Sequence, residues 1–318
     1  MTAYLQELTL KLGAAVGELA EEQREIQSTF FLQAQQADGG FMGREGESDL
    51  YYTGFATRAL AILGELHGDP AERLASFLTS RIQGQETVID FLSLIYSAAL
   101  LDSAAGIDIF AAAPPEWAAS VAATLDALRR EDGGYAKSPE GAYSSTYHSF
   151  LVLLCLQLLE QPLQAPERLI DFVKSQGVEE GGFREHKVSK RAGTNPTAAA
   201  IGILRILDGL TPEITSETID FLASMQVDEG GLRANTRIPI ADILSTFTGI
   251  LTLSDLDGID QIDAPHALRY ANSLQQAAGG SLGAEWDQVC DVEYSFYGLG
   301  TLALLHQYCN QDLPESFT

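Results

Sequence analysis

The chain alternates two kinds of apolar segment. The first is amphipathic, with one apolar stripe at helical spacing, over 30–37, 74–83, 121–130, 169–176, 219–226 and 268–276. These segments predict helices with a single buried face. The second is apolar nearly all round, over 51–63, 89–101, 147–159, 198–207, 243–253 and 294–305. A helix of that composition must be covered on most sides. Helices that alternate between half-buried and fully buried predict an outer and an inner ring. Pro70, Pro166, Pro212 and Pro265 fall near the first turn of the outer helices, where a missing N–H costs little. Strand patterns are nearly absent, so the fold class is all-α.

Gly-Gly pairs mark the period. They stand at Gly39-Gly40, Gly133-Gly134, Gly181-Gly182, Gly230-Gly231 and Gly279-Gly280, with the second glycines 94, 48, 49 and 49 residues apart. The first gap holds two periods of 47, with a degenerate copy, Gln83-Gly84, inside it. A constant period of this size signals a repeat architecture. Six units and an N-terminal helix therefore make one domain over 1–318. The glycines are read as structural, stopping the outer helix at φ > 0 and allowing a tight reversal.

Charge narrows the function classes. The chain carries 44 acidic residues against 19 Lys and Arg, a formal charge of −25. That excludes sequence-independent nucleic-acid binding and attraction to anionic headgroups. Cys155, Cys290 and Cys309 are too far apart for a metal knuckle and suit a reducing compartment. Residues 1–27 are amphipathic and acidic, unlike a signal peptide. The apolar stretch 150–159 is about half of what a membrane span needs. The expectation is a cytoplasmic protein without a membrane span.

The clearest unit reads Gln226-Val227-Asp228-Glu229-Gly230-Gly231-Leu232, then a polar loop, then Asp242 opening an apolar helix. Gln176…Gly181-Gly182-Phe183 and Gln275…Gly279-Gly280 stand in the same register. The unit resembles the prenyltransferase/squalene-cyclase repeat. Six copies over nearly the whole chain are most similar to the β subunit of protein prenyltransferases, the geranylgeranyltransferase type II group in particular. The resemblance implies an α/α toroid, a six-fold α-α barrel of helix-pair repeats around an apolar cavity. It also implies an isoprenyl diphosphate ligand and a helical α-subunit-like partner.

The resemblance further implies a zinc site, held by an Asp and a Cys opening the fifth inner helix and a His opening the sixth. With the Asp on Asp242, the Cys position falls on Leu244 and the His position on Tyr294, so two of the three ligands are replaced. An oxygen-rich set of Asp242, Cys290, Asp291 and Glu293 at one rim would suit Mg²⁺ or Ca²⁺ better than zinc. The alternative is that Asp242 and Asp291 simply cap their helices.

The family's diphosphate residues are not matched position by position, but cations gather in the same two loops. Arg184, Lys187, Lys190 and Arg191 lie in the fourth loop with His186, and Arg233 and Arg237 lie in the fifth. Such a patch favours a phosphate or carboxylate. Tyr52, Phe55, Tyr147, Phe150, Phe247, Phe296 and Tyr297 are the candidates to line an isoprenoid cavity. His148 is a further donor candidate there, or a satisfied helix-end histidine. Competing readings are a non-catalytic isoprenoid- or protein-binding toroid and a class II terpene cyclase. The cyclase DxDD motif finds only Asp291-Val292-Glu293-Tyr294, which lacks the final acid.

Overall fold

The computed structural model describes residues 4–82, 87–111 and 113–311. The degenerate Gln83-Gly84 copy lies outside them. Thirteen α-helices appear among the described residues, with strand pairing limited to isolated bridges. They are α1 (Tyr4–Gly17), α2 (Glu21–Ala34), α3 (Leu50–Leu63), α4 (Gly68–Arg81), α5 (Val88–Ala105), α6 (Trp117–Asp126) and α7 (Thr146–Leu158). There follow α8 (Pro166–Ser175), α9 (Thr194–Ile206), α10 (Pro212–Ala223), α11 (Ile243–Asp255), α12 (Ala264–Ser273) and α13 (Val292–Gln311).

The inner helices form a closed circle: α3 packs on α5, α5 on α7, α7 on α9, α9 on α11, α11 on α13, and α13 back on α3. Each outer helix, from α2 to α12, packs on the inner helix that follows it. This is the expected α/α toroid. The uniformly apolar segments became inner helices because both flanks and the outer side of each are covered. Helix α5 is long and apolar enough to cross a bilayer, but eleven of its residues are buried inside the ring.

The glycines do something other than stop the outer helices. Helix α8 already ends at Ser175, and the chain then makes a short reversal bridged from Gly177 to Phe183. Gly181 sits in that reversal at φ +88, where a Cβ would lie 2.4 Å from the Glu217 carbonyl oxygen of the next outer helix. A Cβ on Gly182 would lie 2.6 Å from the Phe221 ring. The pairs at 133–134 and 230–231 face Arg168 and Phe172, and His266 and Tyr270, in the same way. The missing side chains are what lets one repeat dock against the next.

Two polar devices repeat alongside. The residue after each pair donates its N–H to a buried hydroxyl on the next inner helix: Phe41 to Thr53, Tyr135 to Ser149, Phe183 to Thr197, Leu232 to Thr246 and Ser281 to Ser295, at 2.8–3.0 Å. A side chain just beyond the outer helix hooks the start of the next one. Gln35 Nε2 donates to Pro70 O, Arg129 to Ala165 O and Gln226 to Asp263 O, at 2.8–3.0 Å.

Residues 4–27 divide between two helices, and α1 has a separate task. It packs on α3, α7 and α13, at the end of the ring where the inner helices finish. Lys11 pairs with Asp255 at the last residue of α11, and Arg205 near the end of α9 pairs with the same carboxylate, both at 2.7 Å. Tyr96 donates to the Leu5 carbonyl at 3.0 Å. α1 therefore closes one end of the barrel and leaves the loop end open.

Gly181→Ala should cost at least about 2 kcal/mol, from backbone strain plus forced separation of two repeats. Gly64→Ala, at φ +81 with nothing within 4 Å of a Cβ, carries only the strain term and should cost about 1 kcal/mol. Denaturant unfolding of the two variants measures the difference.

Candidate functional site

A cavity of about 480 Å³ occupies the axis of the ring. Its lining follows helical register. The second residue of every inner helix faces it: Tyr51, Ile89, Tyr147, Asn195, Leu244 and Glu293. A turn deeper come Phe55, Phe150, Phe247, Phe296 and Tyr297. Two turns in lie Arg58, Tyr96, Leu154 and Leu251, and α1 forms the floor with Tyr4, Leu8 and Leu12. Phe55, Phe247, Phe296 and Tyr297 form one aromatic cluster, with ring centroids 5.2–5.8 Å apart.

Of the aromatics expected in the cavity, Phe55, Tyr147, Phe150, Phe247, Phe296 and Tyr297 line it. Tyr52 does not, and Tyr51 takes its place. One residue along a helix turns a side chain by about 100°, which carries Tyr52 out toward the loop at Gly43, where its ring fills the space a Cβ would need. The same rotation turns Tyr294 away, under the Arg44 guanidinium 5.4 Å from its centroid. Register counted from Tyr147 would have found Asn195, Leu244 and Glu293.

The mouth carries two partly buried carboxyls. Glu293 accepts from the Tyr51 hydroxyl at 2.6 Å, and Glu185 accepts from the Ser145 hydroxyl. Burial raises the pKa of both, with those hydrogen bonds acting in opposition. His148 lies 3.0 Å from the Ser145 hydroxyl through Nδ1. Burial, helped by Lys137 and His186, lowers its pKa to about 4. It is a neutral helix-end histidine at neutral pH and does not line the cavity.

The expected metal set does not assemble. Among the described residues no three His, Cys, Asp or Glu side chains come together to hold an ion. Asp242 caps α11, accepting from the Ser245 N–H at 2.7 Å and its hydroxyl at 2.8 Å. Asp291 accepts from the Tyr294 N–H and from Arg44 Nε, both at 2.9 Å. Arg44 also grips Asp287, so these groups join the first loop to the last instead of ligating a metal. Glu293 is engaged by Tyr51, and burial, aided by Asp291 and Asp287, pushes the Cys290 thiol up to about 11. The donors present do not fit zinc.

The six basic residues divide into two groups, and none of them lines the cavity. Arg184 and Arg233 occupy equivalent repeat positions. Each donates to the carbonyl of a serine nine residues earlier, Ser175 at 3.2 Å and Ser224 at 3.3 Å, beside the C-terminus of an outer helix. A cation there satisfies orphan carbonyls and the helix dipole. Lys187, Lys190, Arg191 and Arg237 are exposed on the rim. Arg191 bridges the two loops through Thr236 Oγ1 at 2.8 Å, and Lys187 lies over the Tyr143 ring. Among the described residues, the one cation lining the cavity is Arg58, which the apolar pattern of its helix hid.

The chain belongs to the prenyltransferase alpha-alpha toroid domain family, whose profile matches residues 4–95 and 91–318. Among solved structures it is similar to Candida albicans protein geranylgeranyltransferase-I complexed with GGPP. The identity is 17% and the TM-score 0.68, over 89% of this chain and 91% of that one. A substituted form of the type II terpene cyclase MstE from Scytonema, in complex with geranylgeranyl dihydroxybenzoate, matches at 14% identity and TM-score 0.62. That match covers 97% of this chain and all (100%) of that one. A glycosidase variant matches at 12% identity and TM-score 0.60, over 97% and 99%. Comparison with curated protein sequences finds no match. At these identities the structural likeness carries the fold, and three different chemistries share it.

His148 gives a pH test of the site. Its folded pKa lies below the unfolded value near 6.5. Between about pH 6.5 and 4 the unfolded chain therefore binds more protons, and stability falls as pH falls. His148→Gln should remove about 1–2 kcal/mol of that loss, after solvent screening. Stability of both proteins measured across that window checks it.

Proposed function

We propose that this protein binds a ligand with a long isoprenoid chain, such as an isoprenyl diphosphate, with the chain in the axial cavity. The observation that carries this is the cavity itself: about 480 Å³, closed at one end by α1 and walled by aromatic and aliphatic side chains. A site of that size and lining suits an extended apolar ligand. The Candida enzyme complexed with GGPP and the MstE complex with a geranylgeranyl compound support the ligand class. The anionic head is assigned to the rim, on Lys187, Lys190, Arg191 and Arg237, none of which pairs with a carboxylate among the described residues.

Binding without turnover is favoured over prenyl transfer by the engagement of Asp242 and Asp291 as helix caps and by Leu244 and Tyr294 at the ligand positions. Transfer in such a site would rest on cationic stabilisation of the departing diphosphate. A helical partner on the rim would fit this reading. A cyclase role is weaker, because Asp291-Val292-Glu293-Tyr294 lacks the final acid of the cyclase motif.

Two variants test the placement. Replacing Lys187, Lys190, Arg191 and Arg237 with alanine should weaken geranylgeranyl diphosphate at least about tenfold and leave geranylgeraniol nearly unchanged. Leu244→Trp, which narrows the mouth, should weaken both ligands together. Titration calorimetry reads each affinity. Equal loss of both ligands in the rim variant would remove the head from the rim, and unaltered binding in Leu244→Trp would remove the chain from the cavity.

A further inference from the structure

Arg58 has no task in the fold or in the reading above. It projects from α3 seven residues below Tyr51, about 10 Å below the mouth. Its guanidinium carbon lies 4.8 Å from the Phe55 centroid, 5.2 Å from Tyr96 and 6.0 Å from Phe296. Nε is buried and has no hydrogen-bond acceptor. No ion pair or hydrogen bond engages the guanidinium among the described residues, whereas Arg205 and Lys11 at the floor pair with Asp255. The nearby carboxyl, Glu293, is held at the mouth by Tyr51.

A guanidinium cannot shed its proton, so this charge stays inside an apolar chamber with its donors open. Three ring faces hold the cation and orient it, but they supply no acceptor. A charge in such surroundings is unfavourable unless paired. A carboxylate matches the guanidinium fork in shape and cancels its charge. A diphosphate would bring several negative charges against one cation.

We propose that Arg58 is an internal anion site, and that the cavity takes a long-chain carboxylic acid head-inward, with the carboxylate on Arg58. This rests on the proposed use of the cavity for an apolar chain and extends it to a second ligand class. The acid and an isoprenyl diphosphate compete for the same chamber while using different cations. The rim serves the diphosphate and Arg58 serves the acid.

The test compares geranylgeranoic acid, geranylgeraniol and geranylgeranyl diphosphate on the full chain at pH 7.5. Wild type should bind the acid more tightly than the alcohol. Arg58→Leu should weaken the acid at least about 30-fold while leaving the alcohol nearly unchanged. Arg58→Lys, which keeps the charge but loses the fork, should fall between them. The rim variant should bind the acid as wild type does. Thermal melting and near-UV circular dichroism establish that each variant is folded, and Arg58→Gln replaces Arg58→Leu if the latter is not. Equal affinity of wild type for acid and alcohol, or equal weakening of both by loss of Arg58, would overturn the anion site and leave the cavity assignment standing. Failure of wild type to bind any of the three would overturn both.

Discussion

Everything in this molecule depends on closing the ring. A linear stack of helix pairs would leave the first and last faces exposed, whereas here the last Gly-Gly pair docks on the first outer helix. A Cβ on Gly279 would meet Ile26 O and Phe30, both at 2.7 Å, and one on Gly280 would meet the Phe30 ring at the same distance. Gln27 Nε2 donates to Gln275 Oε1 at 3.0 Å across the seam, and Arg44 ties the first loop to Asp287 and Asp291 in the last. Closure uses the same contacts as the joints at 39–40, 133–134, 181–182 and 230–231, which is why the period had to stay near constant.

The cavity follows from closure. Inner helices held at the circumference of a ring cannot meet at its centre, and large side chains fill the axis only in part. The N-terminal helix then decides what kind of space remains. With α1 tied to Asp255, the channel becomes a blind chamber with an apolar floor. The loop end stays open because six inner helices start there, and their first turns are occupied by caps such as Asp49, Ser145 and Asp242.

Electrostatics divides along the same axis. The −25 belongs to the chain as a whole. The rim loops, however, gather cations, two of which serve the backbone: Arg184 and Arg233 close outer-helix ends. Inside, one arginine stands among aromatic rings, and the carboxyls at the entrance are pushed toward their neutral forms by burial. Solvent access, more than the number of charges, sets what each of them can do.

The amino-acid sequence by itself determined the helix pairs, the six-fold period, the all-α ring and most of the aromatic lining, because helical periodicity and glycine spacing are local signals. It also held the degeneration of the metal positions at Leu244 and Tyr294. It did not decide whether Tyr51 or Tyr52 faces the axis, since a one-residue shift in helix start turns the side chain by about 100°. Nor did it separate the two arginines that cap outer helices from the four cations on the surface. Both kinds sit in the same loops, and only folding brings an outer-helix end within reach of a residue nine positions later. Arg58 was legible only as an interruption in an apolar helix. Its place inside the chamber, with no hydrogen bond or ion pair among the described residues, was decided by the helices that assemble around it.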